Sequence, residues 1–239
     1  MPFPNDEIDL RKRRTTWIPS LLHSVHQQFP EGHTIHFVFS PRWKPQRVSD
    51  VLVGAGFSLQ APSSDNDSIR VTAKPIRTLS DTVSSNMRLL LVGLNPSFHA
   101  ADAGYGFAGP SNRFWSAALE AQIVSKERDS IHALRVDRVG MTDLVKKPTS
   151  KASELTDTQF RIGLARVSRM CGWLRPKAIC VLGITGWRAA LGDSKLSLGA
   201  QIIRLGGRPV YVLPNPSGLN AHTNHGDMVK RFRDLLDSV

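Results

Sequence analysis

Cysteine is almost missing from this chain: Cys171 and Cys180 are the two in 239 residues. Two thiols, on either side of a predicted loop before a strand, build neither a disulfide framework nor a CxxC metal site, and a four-cysteine iron–sulfur or zinc centre is excluded by count. Eight histidines are present without HExxH or HxH, and the nearest pair, His222-x-x-His225, is a poor match to a metal site. No apolar run is long enough to cross a bilayer, and the N-terminus shows no apolar signal segment. The expectation is a soluble intracellular protein with no membrane association, cytoplasmic or nucleoid-associated in a bacterium and nuclear in a eukaryote. Acidic residues are also scarce, 20 Asp+Glu against 31 Lys+Arg, for a formal net charge of +11. That imbalance favours a polyanionic partner, most often nucleic acid. With 41% hydrophobic and 21% charged residues the chain can bury an ordinary core, as one large domain or one domain plus a smaller unit.

Residues 1–15 are polar and carry Arg11-Lys12-Arg13-Arg14, read as a flexible, solvated start rather than a phosphate-binding or targeting segment. Ile18, Leu21, Leu22 and Val25 fall at i, i+3, i+4 and i+7 and predict a helix over 17–28. A strand over 33–39, a helix over 45–53 and a hairpin of 57–60 with 68–74 follow. This small α/β unit, 1–75, leans on what comes after it. Gly54-Ala55-Gly56 invites a nucleotide-loop reading, but the third glycine and the acidic residue about twenty positions on are missing. A helix C-cap and a turn explain it better. Residues 76–86 read as a linker without a strong pattern.

From 87 to 239 the elements alternate as in a parallel α/β protein. A strand over 88–94 leads to a helix over 112–122, capped by Ser111 or Asn112. A short strand over 140–145, a loop over 146–154 and a helix over 157–174 follow. A strand over 178–182, a helix over 185–191, strands over 201–204 and 210–213 and a basic amphipathic helix over 227–236 complete the chain. The expected fold is a three-layer α/β/α sandwich with a mostly parallel central sheet, plus the small N-terminal α/β extension.

Two loops directly follow apolar strands: GLNPS at 93–97 and NPSGLN at 215–220. Ligands of such sheets bind beyond the carboxyl ends of the strands, so the two loops can converge on one site. Asn95 would sit on its floor, with Pro96 stiffening the turn. One Asn-Pro is an ordinary turn; the pair, with GYGFAGPSNRFW at 104–115 between them, is far more specific.

Five segments in order, GLNPS, FAGPSNRFW at 107–115, GMTDLVKKPT at 140–149, RPKAICVLG at 175–183 and VLPNPSGLN at 212–220, resemble the mismatch-specific uracil/thymine DNA glycosylases, the Mug/TDG branch of the uracil-DNA glycosylase superfamily. The resemblance covers about 87–239 and leaves 1–75 outside. It implies that a uracil or thymine opposite guanine is flipped into a pocket, that the C1′–N1 bond loosens toward an oxocarbenium-like sugar, and that water attacks C1′. It implies Asn95 as the residue that binds this water, by orientation more than proton removal. By the same resemblance Leu94 offers its backbone N–H to the base, Phe107 stacks on the pyrimidine, Ala100 lines the pocket wall and Thr142 places a hydroxyl near the water. Leu219 is the wedge entering the duplex, Ser217 and Gly218 approach the DNA backbone, and Asn220 reaches the widowed guanine. Arg113, Lys146, Lys147, Lys230 and Arg231 could supply phosphate contacts.

The departures are Ser97 where glycine is common, Ala221 where some members carry a basic residue, and Ala100, small enough to admit a 5-methyl group. Asp102 and Asp143 match no base of the family and are read as structural or solvated. The expected activity is a monofunctional DNA glycosylase on uracil, with thymine as a second substrate, in G·U or G·T duplexes. It needs no metal and no organic cofactor, lacks a nucleophilic lysine and acts as a monomer. The alternatives are a shifted substrate such as hypoxanthine or another damaged base, and a non-catalytic mismatch binder.

Overall fold

A computed structural model of the chain describes residues 6–218, 220 and 223–238. The N-terminal part runs β1 (Glu7–Asp9), α1 (Ile18–Gln28), β2 (Ile35–Phe39), α2 (Pro45–Gly54), β3 (Phe57–Leu59), β4 (Ser63–Ser64) and β5 (Ile69–Pro75). Its sheet has the order β1-β2-β5-β3, with β4 also on β5. The polar start is not all solvated: Glu7–Asp9 pairs in parallel with β2 and buries Ile8, while Leu10 is buried just after it. Three residues with one inward side chain are too few to show a period of two. Gly56, with φ of 95°, makes the turn out of α2 that only glycine takes easily.

The second part runs β6 (Leu89–Gly93), α3 (Phe98–Ala103), α4 (Phe114–Glu120), α5 (Ser130–Arg135), β7 (Val139–Asp143), α6 (Asp157–Leu174), β8 (Ala178–Leu182), α7 (Ile184–Leu191), β9 (Gly199–Leu205), β10 (Arg208–Leu213) and α8 (His225–Leu236). The sheet order is β7-β6-β8-β10-β9, parallel except for β9. Leu89 and Leu91 of β6 join Ala178, Cys180 and Leu182 of β8 on one face, against Phe114 of α4 and Phe232 of α8. Leu90 and Val92 join Ile179 and Val181 on the other, against Val167 of α6 and Trp187 of α7. Apolar residues at every position are what a strand covered on both faces requires. The chain is thus a mixed α/β protein with a three-layer second part, as expected. The short helices α3 and α5, six residues each, stand where loops were expected. Ser97 and Asp129 cap them, accepting from the backbone N–H of Ala100 and His132.

Residues 76–86 are no solvated tether. Leu79, Ser80, Asp81, Thr82 and Val83 are buried, and Thr82 pairs with Met141 on the free edge of β7 through N–H···O bonds of 2.9 and 2.8 Å. Asp81 accepts hydrogen bonds from Lys146 Nζ at 2.9 Å, Thr142 Oγ1 at 2.6 Å and Arg166 Nη1 at 2.8 Å. Burial alone would raise its pKa, but Arg166 and Lys146 outweigh burial and hold the carboxyl below the usual range. Further along α6, Arg169 binds Asp50 of α2 at 2.7 and 2.9 Å, and Trp173 meets Trp43 with ring centroids 6.0 Å apart.

Asp81→Ala strands two buried cations, so it should cost about 3–5 kcal/mol in urea unfolding at pH 7. A loss below about 1 kcal/mol would show that the cluster is not what joins these elements.

Candidate active site

Beyond the carboxyl ends of β6, β8 and β10 opens a cavity of about 900 Å³, lined among others by Leu94, Asn95, Ala100, Phe107, Asp143, Thr149, Ser217, Gly218 and Asn220. Asn95 follows β6 by two residues. Its Nδ2 donates to the carbonyl oxygens of Pro96 at 3.1 Å and Lys147 at 3.0 Å, and to Thr149 Oγ1 at 2.7 Å. Carbonyls cannot donate, so this set fixes which end of the amide is which. Thr149 in turn donates its hydroxyl to Lys151 O at 2.9 Å, leaving Oγ1 an acceptor toward Asn95. The amide nitrogen is therefore spent on the protein, and Oδ1 is the end available to accept from a water.

Thr149, not Thr142, is the hydroxyl beside Asn95. Thr142 is 5% exposed and is not among the residues that line the cavity. Its hydroxyl donates to Asp81 and accepts from Arg166 Nη2 at 3.0 Å. Alternation along β7 turns it into the core, whereas Thr149 lies on the loop that returns past the strand end. Both belong to GMTDLVKKPT, so the signal was in the sequence and the position within it was not.

Leu94 lines the cavity, and its side chain packs against Gly183 and Gly186, where any β-carbon would collide with it. Ala100 lines the wall from α3 and is 3% exposed. Phe107 has φ of 60°, a left-handed backbone that an aromatic residue rarely adopts. Its ring lies 4.2 Å from Phe114, centroid to centroid, and Trp115 Nε1 donates to Gly106 O at 2.8 Å, holding the loop in place. Strain maintained by its surroundings marks positions where side-chain direction matters.

The second loop is bound to the first. Arg113 donates from its backbone N–H to Pro216 O at 3.0 Å, and from Nη1 to Ser217 O at 3.2 Å and Asn220 O at 3.3 Å. Gly218 lies so close to Ser111 that a β-carbon would come within 2.7 Å of its carbonyl oxygen. Asn220 donates from Nδ2 to Asn215 O at 2.9 Å and Thr223 Oγ1 at 3.3 Å. Leu219, the expected wedge, lies outside the described residues. Of the cations expected at phosphates, Lys146 is buried on Asp81 and cannot reach one, and Arg113 is engaged with these carbonyls. Lys147 and Lys230 are exposed, and Arg231 lines the cavity.

Asp102 pairs with Arg77 on the surface at 2.8 and 2.9 Å, as a solvated residue would. Asp143 is different: it is 7% exposed, faces the cavity and has its pKa pushed up to about 6, mainly by burial. Burial also pushes the Cys171 thiol up to about 12, and Cys180 further, so neither is a nucleophile at neutral pH. Among the described residues no cluster of His, Cys, Asp and Glu could hold a metal ion, and no helix is long and apolar enough to cross a membrane.

Residues 80–237 match the family described as the uracil DNA glycosylase superfamily. Among solved structures, the chain is similar to the solution NMR structure of a proposed uracil DNA glycosylase from Methanosarcina acetivorans, with 18% identity, a TM-score of 0.40 and coverage of 67% of this chain and 98% of that one. That similarity is too low to carry an argument by itself.

A raised carboxyl pKa means that folding favours the neutral form. The stability it contributes is fully present below the unfolded pKa and is lost as pH rises from about 4 through about 6. Asp143→Asn should therefore be more stable than the wild type by about 2–3 kcal/mol at pH 7.5, with no advantage at pH 4. Equal unfolding midpoints at both pH values would contradict this.

Proposed function

This chain belongs to the uracil DNA glycosylase superfamily, and we propose that it is a monofunctional DNA glycosylase of the mismatch-specific Mug/TDG type. In this reading it takes double-stranded DNA with uracil, and secondarily thymine, opposite guanine, flips the base into the cavity and hydrolyses its N-glycosidic bond. The observation that carries the reading is Asn95. Its amide nitrogen is held by Pro96, Lys147 and Thr149, which points Oδ1 at the position of an attacking water. An amide oxygen is too weak a base to remove the proton early, so the gain comes from holding water in line with C1′ while the base departs. Phe107 supplies the stacking face, Leu94 a backbone donor and Ala100 a wall that tolerates a methyl group. Ser217, Gly218 and Asn220 lie on the loop that meets the duplex, and Leu219 fills the space the base leaves. The catalytic unit is 87–239, with 1–75 an extension packed onto α6. The net charge of +11 suits a DNA partner.

Asn95→Ala should lower single-turnover release of uracil from a G·U duplex by about 100-fold with little change in mismatch affinity. Undiminished release would remove Asn95 from the mechanism. Tight mismatch binding by the wild type without release of uracil, thymine or hypoxanthine would favour a binder instead. Leu219→Ala should weaken mismatch affinity and slow base flipping, read with a fluorescent base analogue at the target position; unchanged flipping would assign the wedge to another residue.

A further inference from the structure

Asp143 ends β7 in register with Gly93 at the end of β6. Its Oδ1 sits over the bare Cα of Gly93, in the space a β-carbon would need, and the Phe107 ring edge borders the same space at 3.8 Å. A carboxyl and an aromatic face thus share one part of the cavity wall, made possible by a glycine. Among the described residues lining the cavity, Asp143 is the acidic one.

The charges around it are arranged unequally. Lys146, from the loop after β7, stands 3.7 Å from Asp143 Oδ2 and places its shorter bond, 2.9 Å, on Asp81. Arg166 of α6 gives Nη1 to Asp81 and Nη2 to the backbone oxygen of Asp143, not to its carboxylate. Asp81, from the segment before β6, adds a negative charge nearby. His99, Lys151 and Arg231 line the cavity from other elements. Burial is the largest influence on the carboxyl; Lys146 and Arg166 oppose it, Asp81 reinforces it, and the pKa comes to about 6.

We infer that Asp143 is a further catalytic residue, acting as a neutral acid whose O–H donates a hydrogen bond to the flipped base as it leaves. The inference rests on the glycosylase reading of the cavity. In that reaction the C1′–N1 bond breaks with both electrons staying on the base, and water oxygen bonds to C1′. The proton that water sheds neutralises the base, so Asp143 keeps its own. A preorganised donor is worth most where negative charge develops inside a dry site, and a carboxylic acid kept neutral by its surroundings can serve as one. An ionised Asp143 would instead repel the departing base. This gives the site an acidic partner on the base side that Asn95, on the water side, does not provide.

The test is the pH profile of single-turnover uracil release from a G·U duplex at saturating full-length protein, for the wild type, Asp143→Asn and Asp143→Ala. Circular dichroism confirms that each variant is folded. The wild-type rate should be level below pH 6 and fall about tenfold per pH unit well above it, as one lost proton requires. Asp143→Asn retains an N–H donor that does not titrate, so its profile should be flat through that range. Asp143→Ala should be flat and at least about tenfold slower than the wild type at pH 5.5. A break near pH 6 that persists in Asp143→Asn, or a wild-type rate that rises through pH 6, overturns the role of Asp143 while leaving the glycosylase reading intact. A wild type that releases no base at any pH overturns the glycosylase reading, and this inference with it.

Discussion

The Asp81 carboxylate is the interaction on which the arrangement of the site depends. It is buried, and it gathers Lys146 from the loop after β7, Thr142 from β7 itself and Arg166 from α6. Each donor belongs to a different part of the chain, so one acceptor fixes three backbones at once. Isolated buried charges are prohibitively costly, and a pair of cations without this anion would not remain in the interior. The same cluster draws Lys146 away from Asp143. Its placement at the end of β7 thus gives a structural residue influence over a functional one.

Around that fixed point the two Asn-Pro loops are held by short-range contacts rather than by bulk. Arg113 binds three carbonyl oxygens of the 215–220 loop, and Gly218 permits the close approach to Ser111. Phe107 is kept in a left-handed backbone by its contact with Phe114 and by the bond from Trp115 to Gly106. Such a frame keeps side chains aimed before any ligand arrives, which lowers the entropy lost on binding. Asn95 on one side of the cavity and Asp143 on the other are both positioned by backbone groups at strand ends, the most rigid part of a parallel sheet.

Much of this was legible in the sequence where burial imposes a pattern. β6 and β8 announce themselves as short apolar runs, and α6 begins where the Thr156–Gln159 capping box says it should. The two loops could be placed together because both follow such strands. β1, α3 and α5 were not legible, being too short for a period to register. Asp81 was hidden for another reason: it lies in an aperiodic segment, and its partners Lys146 and Arg166 are 65 and 85 residues away. Nor could the sequence choose between Thr142 and Thr149, because the choice depends on which way the chain faces after β7. Asp143 was passed over for want of a family counterpart; only its place over Gly93 shows that it borders the cavity.

The triad of acceptors around the Asn95 amide also limits what this site can become. Elsewhere in the superfamily an aspartate occupies the corresponding motif, and exchanging Asn95 for aspartate changes a single terminal group. Here that change would set a carboxylate oxygen against the carbonyls of Lys147 and Pro96 at 3.0 and 3.1 Å, replacing two attractive contacts by two repulsive ones. A stronger base at this position is therefore not one substitution away. The loop carrying Lys147 and Thr149 would have to turn its carbonyls outward as well, and those two alterations have no selectable intermediate between them. The chain is confined to the amide by its neighbours' oxygens.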